Sequence, residues 1–199
     1  HGERMGQKLN LAVLISGRGS NLQSILEACQ DPAFPAQVKL VISNKADAYG
    51  LVRAEKMGIP TGVVAHKDFS SREEFERALI TAIETAGPID LVCLAGFMRV
   101  LTPLFIARWE NRLINIHPSL LPAYKGLHTH ERAIAAGEKI AGCTIHFVTS
   151  GVDEGPIILQ KSVPVLPNDT PDSLAERVLE QEHLAYPEAI SLLAQKNPF

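Results

Sequence analysis

Three polar side chains carry most of the chemistry that this sequence could do. Ile114-Asn115-Ile116-His117-Pro118 alternates apolar and polar residues. A strand has a side-chain period of two, so Asn115 and His117 share one face and the two isoleucines the other. A polar pair at the end of a buried strand needs partners or a ligand. Histidine exchanges a proton near neutral pH, and an asparagine amide can donate to an oxygen that is gaining negative charge. A lone histidine is more often satisfied by backbone carbonyls. Asn115 beside it, and the Pro118-Ser119-Leu120-Leu121-Pro122 turn after it, weigh against that reading. The third group, Asp153, sits in Ser150-Gly151-Val152-Asp153-Glu154-Gly155-Pro156, where the glycines imply a sharply shaped loop. A carboxylate there could hold the His117 ring, or it could be a solvated turn residue; composition does not separate the two.

A second constellation, Ser16-Gly17-Arg18-Gly19-Ser20-Asn21, joins an apolar strand to a helix. Glycines let backbone approach a ligand closely, and a helix start offers free N–H groups to an anion. The loop is a poor dinucleotide fingerprint: Leu22 stands at the third glycine position, and the next strand ends in Ser43-Asn44 without an acid for a ribose. It is no P-loop either, because no Gly-Lys-Ser/Thr follows. A tight turn with Ser20 as N-cap and a site for one phosphate group both remain open, with the two glycines, serine and asparagine favouring the phosphate.

These groups need a scaffold, and the apolar pattern supplies one. Strands are expected at Leu9–Ile15, Val38–Ile42, Thr61–Ala65, Ile89–Leu94 and Leu113–His117. Helices are expected at Ser20–Cys29, Ala48–Met57, from the capping box Ser71-Arg72-Glu73-Glu74 to about Ala86, and after the Thr102-Pro103 start. Alternating strands and helices imply an α/β fold with a doubly wound, mostly parallel sheet and helices on both faces. Cys143–Val148 and Pro156–Val165 read as a pair of longer, antiparallel strands near the C-terminal end. A helix then opens at Thr170-Pro171 and is expected to run to about Tyr186, where Pro187 interrupts it.

The apolar fraction of 46% supports a globular core, and the net charge of −3 argues against a dedicated nucleic-acid binder. No apolar run approaches a membrane span. Cys29, Cys93 and Cys143 are odd in number and widely spaced, which suits a reducing cytoplasm better than a disulfide framework, and no spacing makes a metal box. Residues 1–8 read as a tag remnant or a disordered start, and 9–199 as one domain.

Five strings occur in one order: the glycine loop, Ser43-Asn44-Lys45-Ala46-Asp47, Leu94-Ala95-Gly96-Phe97-Met98-Arg99, Asn115-Ile116-His117-Pro118-Ser119-Leu120-Leu121-Pro122 and Gly126-Leu127-His128-Thr129-His130. Together they resemble the folate-dependent formyltransferase family, from Leu9 to about Pro187. The last string narrows the likeness to members that formylate glycinamide ribonucleotide in purine synthesis. The resemblance implies 10-formyltetrahydrofolate as cosubstrate, no metal, and a Rossmann-like fold. It implies Asn115, His117 and Asp153 as the catalytic trio. Gly19, Ser20 and Asn21 would hold the substrate phosphate, with Glu182 near the ribose or amide end. Arg72, Met98, Arg99, Val100, Leu101 and Val152 would bind the folate, Arg72 near its glutamate tail. The roles of His128, His130 and His146 stay open. The expected partners are the two small substrates, with no nucleic acid and no membrane, in a monomer or homodimer. A transfer-RNA formyltransferase or a formyl-folate deformylase would be expected to carry a further domain. A non-catalytic nucleotide-binding module would leave Asn115, His117 and Asp153 unexplained.

Overall fold

The central strands are apolar on both sides, and this dictates a layer of helices on each face. In β1 (Leu9–Ile15), Leu11, Val13 and Ile15 enter one core cluster while Leu14 and Ala12 enter the other. In β4 (Leu91–Leu94), Leu91 and Cys93 go one way, Val92 and Leu94 the other. The computed structural model describes residues 7–196 and Phe199. Most of the expected N-terminal remnant therefore lies outside the described residues.

The remaining strands are β2 (Ala36–Ser43), β3 (Thr61–Val63), β5 (Leu113–His117), β6 (Ile140–Phe147) and β7 (Ile157–Pro164). They form one seven-stranded sheet in the order β3-β2-β1-β4-β5-β6-β7. Pairings from β3 to β5 are parallel; β6 runs antiparallel to both β5 and β7. The expected mostly parallel, doubly wound sheet with its antiparallel C-terminal pair is what forms. The helices are α1 (Ser20–Cys29), α2 (Tyr49–Lys56), α3 (Arg72–Glu84), α4 (Pro103–Arg108), α5 (Thr129–Ala135) and α6 (Pro171–Lys196). Leu22 and Ile25 of α1 pack with Val178, Tyr186 and Ile190 of α6 on one face, and Phe75, Leu79 and Ile83 of α3 with Phe105 of α4 on the other.

The strand order reverses between β1 and β4. Their connections leave toward opposite edges, which opens a crevice at the carboxyl ends of the strands. Ser16 braces its floor. Its hydroxyl donates to Asn44 Oδ1 at 2.5 Å and accepts from the Met98 N–H at 2.7 Å, tying together the ends of β1, β2 and β4.

Two local expectations need correction, and the expected N-cap at Thr102 is satisfied in an unexpected way. The last helix does not stop at Tyr186; it continues through Pro187 to Lys196. An internal proline costs a helix about 3 kcal/mol. Here the same apolar face continues across it, with Ala185, Tyr186, Ala189, Ile190 and Leu193 all buried. Thr102 occupies the N-cap position of α4, but its hydroxyl caps nothing. The cap comes from Glu76 on α3, a fully buried carboxylate that accepts from the Thr102 N–H (2.6 Å), the Thr102 hydroxyl (2.5 Å) and the Phe105 N–H (3.1 Å). Ser20 is not an N-cap either: Gly19 takes that position at φ 75° and Ser20 is the first helical residue. The capping box at Ser71 is half formed, its hydroxyl accepting from the Glu74 N–H while the Glu74 carboxylate accepts from Ser70.

Candidate active site

β5 carries Asn115 and His117 to the crevice, and β6 fixes their surroundings. In the antiparallel register Asn115 lies opposite His146 and His117 opposite Thr144. Directly opposed residues share a face, so His146 joins the polar face of β5. The turn after His117 is pinned from the same side. Thr144 Oγ1 donates to the Ser119 carbonyl at 2.7 Å and accepts from the Leu121 N–H at 3.1 Å, while Gln160 on β7 donates to the Leu121 carbonyl at 2.9 Å.

His117 is buried, and its two ring nitrogens face different partners. Nε2 lies 2.9 Å from the Tyr124 carbonyl; a carbonyl can only accept, so Nε2 carries a proton. Nδ1 lies 3.5 Å from Asp153 Oδ2. The carbonyl-satisfied reading of His117 thus holds for one nitrogen and leaves the other to the carboxylate. Asp153 is not a solvated turn residue: its side chain is 13% exposed and its Oδ2 accepts from the Gly126 N–H at 2.9 Å. Its backbone is left-handed at φ 53°, uncommon for a residue with a side chain and a common mark of functional loops. Two residues on, a Cβ at Gly155 would run into the Phe147 carbonyl, so the loop closes against β6 only with glycine there.

The second oxygen of Asp153 faces His146, with Oδ1 3.9 Å from Nε2. His146 Nδ1 lies 2.9 Å from the Phe147 carbonyl and so carries the proton of the neutral ring. Its Nε2 is buried without a hydrogen-bond partner among the described residues. Burial pushes the His146 pKa down; the Phe147 carbonyl and Asp153 oppose this, and His117 adds to it. One carboxylate therefore stands between two histidines. Sequence reasoning left His146 without a role, although the alternation Thr144-Ile145-His146 would have placed it on one face with Thr144.

Asn115, His146 and Asp153 line a cavity of about 190 Å³ together with Phe97, Arg99, Val100, Leu101, Ile106 and the loop residues 149–152. Of the expected folate-binding residues, Arg99, Val100, Leu101 and Val152 are therefore brought beside Asn115 and Asp153. Met98 is not: its side chain is exposed and lies outside this lining, though its N–H anchors Ser16. Arg72 is exposed at the start of α3 and also lies outside the lining. On its other side Asp153 borders a second cavity with Leu121, Pro122, Lys125 and Ile157.

The glycine loop and α6 meet as well. Asn21 Nδ2 donates to Glu182 Oε1 at 3.0 Å, both residues being buried, while Asn21 Oδ1 is buried with no partner among the described residues. Burial raises the Glu182 pKa, and the Asn21 amide partly offsets this. Tyr186, one turn on from Glu182, donates to the Leu94 carbonyl of β4 at 2.8 Å and so fixes α6 against the sheet. His128 is exposed at a left-handed N-cap of α5; His130 is half-buried, its pKa lowered by burial and then by the nearness of His117.

A carboxylate, a histidine and an asparagine at the crevice of a doubly wound sheet suit acid-base chemistry and stabilisation of developing charge, and comparison makes the class specific. The formyl transferase family matches residues 9–190, and the chain belongs to that family. It is 50% identical over 186 residues to the phosphoribosylglycinamide formyltransferase of Escherichia coli K12, covering 94% of this chain and 87% of that one. It is 52% identical over 189 residues to the trifunctional purine biosynthetic protein adenosine-3 of Drosophila melanogaster, covering 94% of this chain but only 14% of that much longer protein. Among solved structures, the phosphoribosylglycinamide formyltransferase of Brucella melitensis superimposes with a TM-score of 0.91 at 50% identity, covering 94% of this chain and 96% of that one. The glycinamide ribonucleotide transformylase 1 of Symbiobacterium toebii gives 0.92 at 49% identity, covering 96% and 90%. No helix among the described residues is long and apolar enough to cross a membrane.

Proposed function

We propose that this chain transfers the formyl group of 10-formyltetrahydrofolate to the amine of glycinamide ribonucleotide, giving formylglycinamide ribonucleotide and tetrahydrofolate in purine synthesis. The observation that carries the reading is the placement of Asn115 and Asp153 on one cavity, with His117 held against the carboxylate. Half-identity to whole-length relatives of that name supports it.

The folate occupies the cavity walled by Arg99, Val100, Leu101 and Val152, where apolar side chains interrupted by a few polar groups suit a flat heterocycle. The ribonucleotide lies along the crevice, its phosphate at the start of α1 among Gly19, Ser20 and Asn21. Its ribose or amide reaches Glu182 and the unpartnered Asn21 Oδ1. The amine attacks the formyl carbon on N10, and a tetrahedral intermediate forms with negative charge on the former carbonyl oxygen. Asn115 and His117 stabilise that charge; donors fixed in advance are worth more than donors that must reorient. Asp153 takes the proton released by the attacking amine, directly or through a water, and relays it to the departing N10. Holding both substrates in one crevice supplies a further part of the acceleration.

The chain acts in the cytoplasm, as one domain over 9–199, in a monomer or homodimer, without nucleic-acid or membrane partners. Steady-state turnover of 10-formyltetrahydrofolate, with and without glycinamide ribonucleotide, tests the activity. Tetrahydrofolate release that depends on the ribonucleotide is expected. Equal release without it would point to hydrolysis and overturn the reading.

A further inference from the structure

The loop assigned to the substrate phosphate is gripped from behind by α2, and none of the residues in that grip belongs to the site as described. Two successive loop carbonyls are tied to one turn of α2. The Gly50 N–H donates to the Gly17 carbonyl at 3.0 Å, and Arg53 Nε donates to the Arg18 carbonyl at 2.6 Å. The guanidinium is itself oriented, lying 5.0 Å from the Tyr49 ring centroid with Nη1 3.5 Å from Gln23 Oε1. A charge-assisted bond of this length is among the stronger hydrogen bonds in a protein.

The consequence follows from the planarity of the peptide bond. In a trans peptide the carbonyl and the next N–H point in opposite directions. Turning the Gly17 and Arg18 carbonyls toward α2 turns the Arg18 and Gly19 N–H groups away from it, side by side. Gly19 is left-handed at φ 75° and Ser20 after it is helical, a pair of opposite hand that gathers the N–H groups from Gly19 onward into an anion-binding nest. The approach leaves no room for side chains. A Cβ on Gly19 would sit 2.8 Å from Gly50 Cα, and one on Gly50 would run into Ile15 Cδ1.

We propose that Arg53 is a positioning residue for phosphate recognition: it holds the Arg18 carbonyl toward α2 so that the Gly19 N–H on the same peptide faces the substrate phosphate, without touching the substrate itself. The inference rests on the phosphate assignment above. Its test compares glycinamide ribonucleotide with the phosphate-free glycinamide riboside as competing ligands for wild type, Arg53→Met and Arg53→Lys. In the wild type the ribonucleotide binds far more tightly. In Arg53→Met that preference falls by about tenfold or more, the size expected for losing one charge-assisted bond. Riboside affinity, the KM for 10-formyltetrahydrofolate and kcat at saturation stay within about twofold. Arg53→Lys, which keeps a cationic donor of nearly the same reach, recovers part of the preference. A wild type that binds both compounds equally would overturn the phosphate assignment and this inference with it. A wild type that discriminates, alongside an Arg53→Met protein with the same preference, would overturn the positioning role alone.

Discussion

Asp153 stands between His117 and His146, with Oδ2 3.5 Å from His117 Nδ1 and Oδ1 3.9 Å from His146 Nε2. The two histidines are fixed in opposite senses, since each has its other nitrogen on a backbone carbonyl: Nε2 of His117 on Tyr124, Nδ1 of His146 on Phe147. One carboxylate thus faces two rings whose orientations are held by those carbonyls.

This coupling makes the losses at His117 and Asp153 overlap. Groups that act on one proton path are strongly non-additive. His117→Ala and Asp153→Ala should each lower kcat heavily, and the double variant should be little worse than either single one. Rates from a single-turnover assay that multiply as independent factors would separate the two residues.

Asn115→Ala should lower kcat by about 10²-fold or more through loss of a donor to the developing oxyanion. Ground-state affinity for both substrates should change much less, because the interaction strengthens only in the transition state. A variant with unchanged kcat and a raised KM would make Asn115 a binding group instead.

Stability should fall as the pH drops below the ordinary histidine range. His130, His146 and His183 all have pKa values lowered from 6.5, with burial the main cause each time. A base with a depressed folded-state pKa binds protons more readily in the unfolded chain. Its contribution is therefore complete above about 6.5 and is lost as pH falls from there toward the folded value. Urea midpoints measured from pH 8 down to 5 should decline. The decline should be shallower in His146→Gln, whose side chain does not titrate. An identical slope in the variant would show that His146 is not part of the effect.

Much of the scaffold was legible because it is written in local pattern. The period of two in β5 and the glycine-to-helix transition at α1 gave both elements with the bounds observed. What escaped was non-local. Thr102 looked like an ordinary N-cap, but the cap is a carboxylate 26 residues earlier in the chain. Pro187 looked like a stop, but the apolar face that continues past it packs on the sheet. His146 gained its place only when β6 paired with β5, a register that the isolated strand does not reveal.

The Glu76 cap connects stability to the folate pocket. Glu76→Ala would leave the Thr102 N–H without its acceptor and the Phe105 N–H with only the Thr102 carbonyl, at a cost of about 1–3 kcal/mol for the donor so exposed. Leu101 and Ile106, which flank that cap, both line the cavity beside Asn115. The variant should melt at lower temperature and show a raised KM for 10-formyltetrahydrofolate, with the KM for the ribonucleotide nearly unchanged. Val100→Glu, in the same wall, should raise the folate KM without the loss of stability. A rise confined to the ribonucleotide KM in either variant would reverse the assignment of the two pockets.

The most direct test of the account is the rate of formyl transfer in Asp153→Asn under single-turnover conditions, with enzyme in excess over 10-formyltetrahydrofolate and glycinamide ribonucleotide saturating. The substitution is nearly isosteric and can still accept from the Gly126 N–H, but it can no longer carry a proton between the amine and N10. The account predicts a fall of about 10²-fold or more in the transfer rate, with both substrates still bound at near wild-type affinity. A variant that transfers the formyl group at close to the wild-type rate would contradict it.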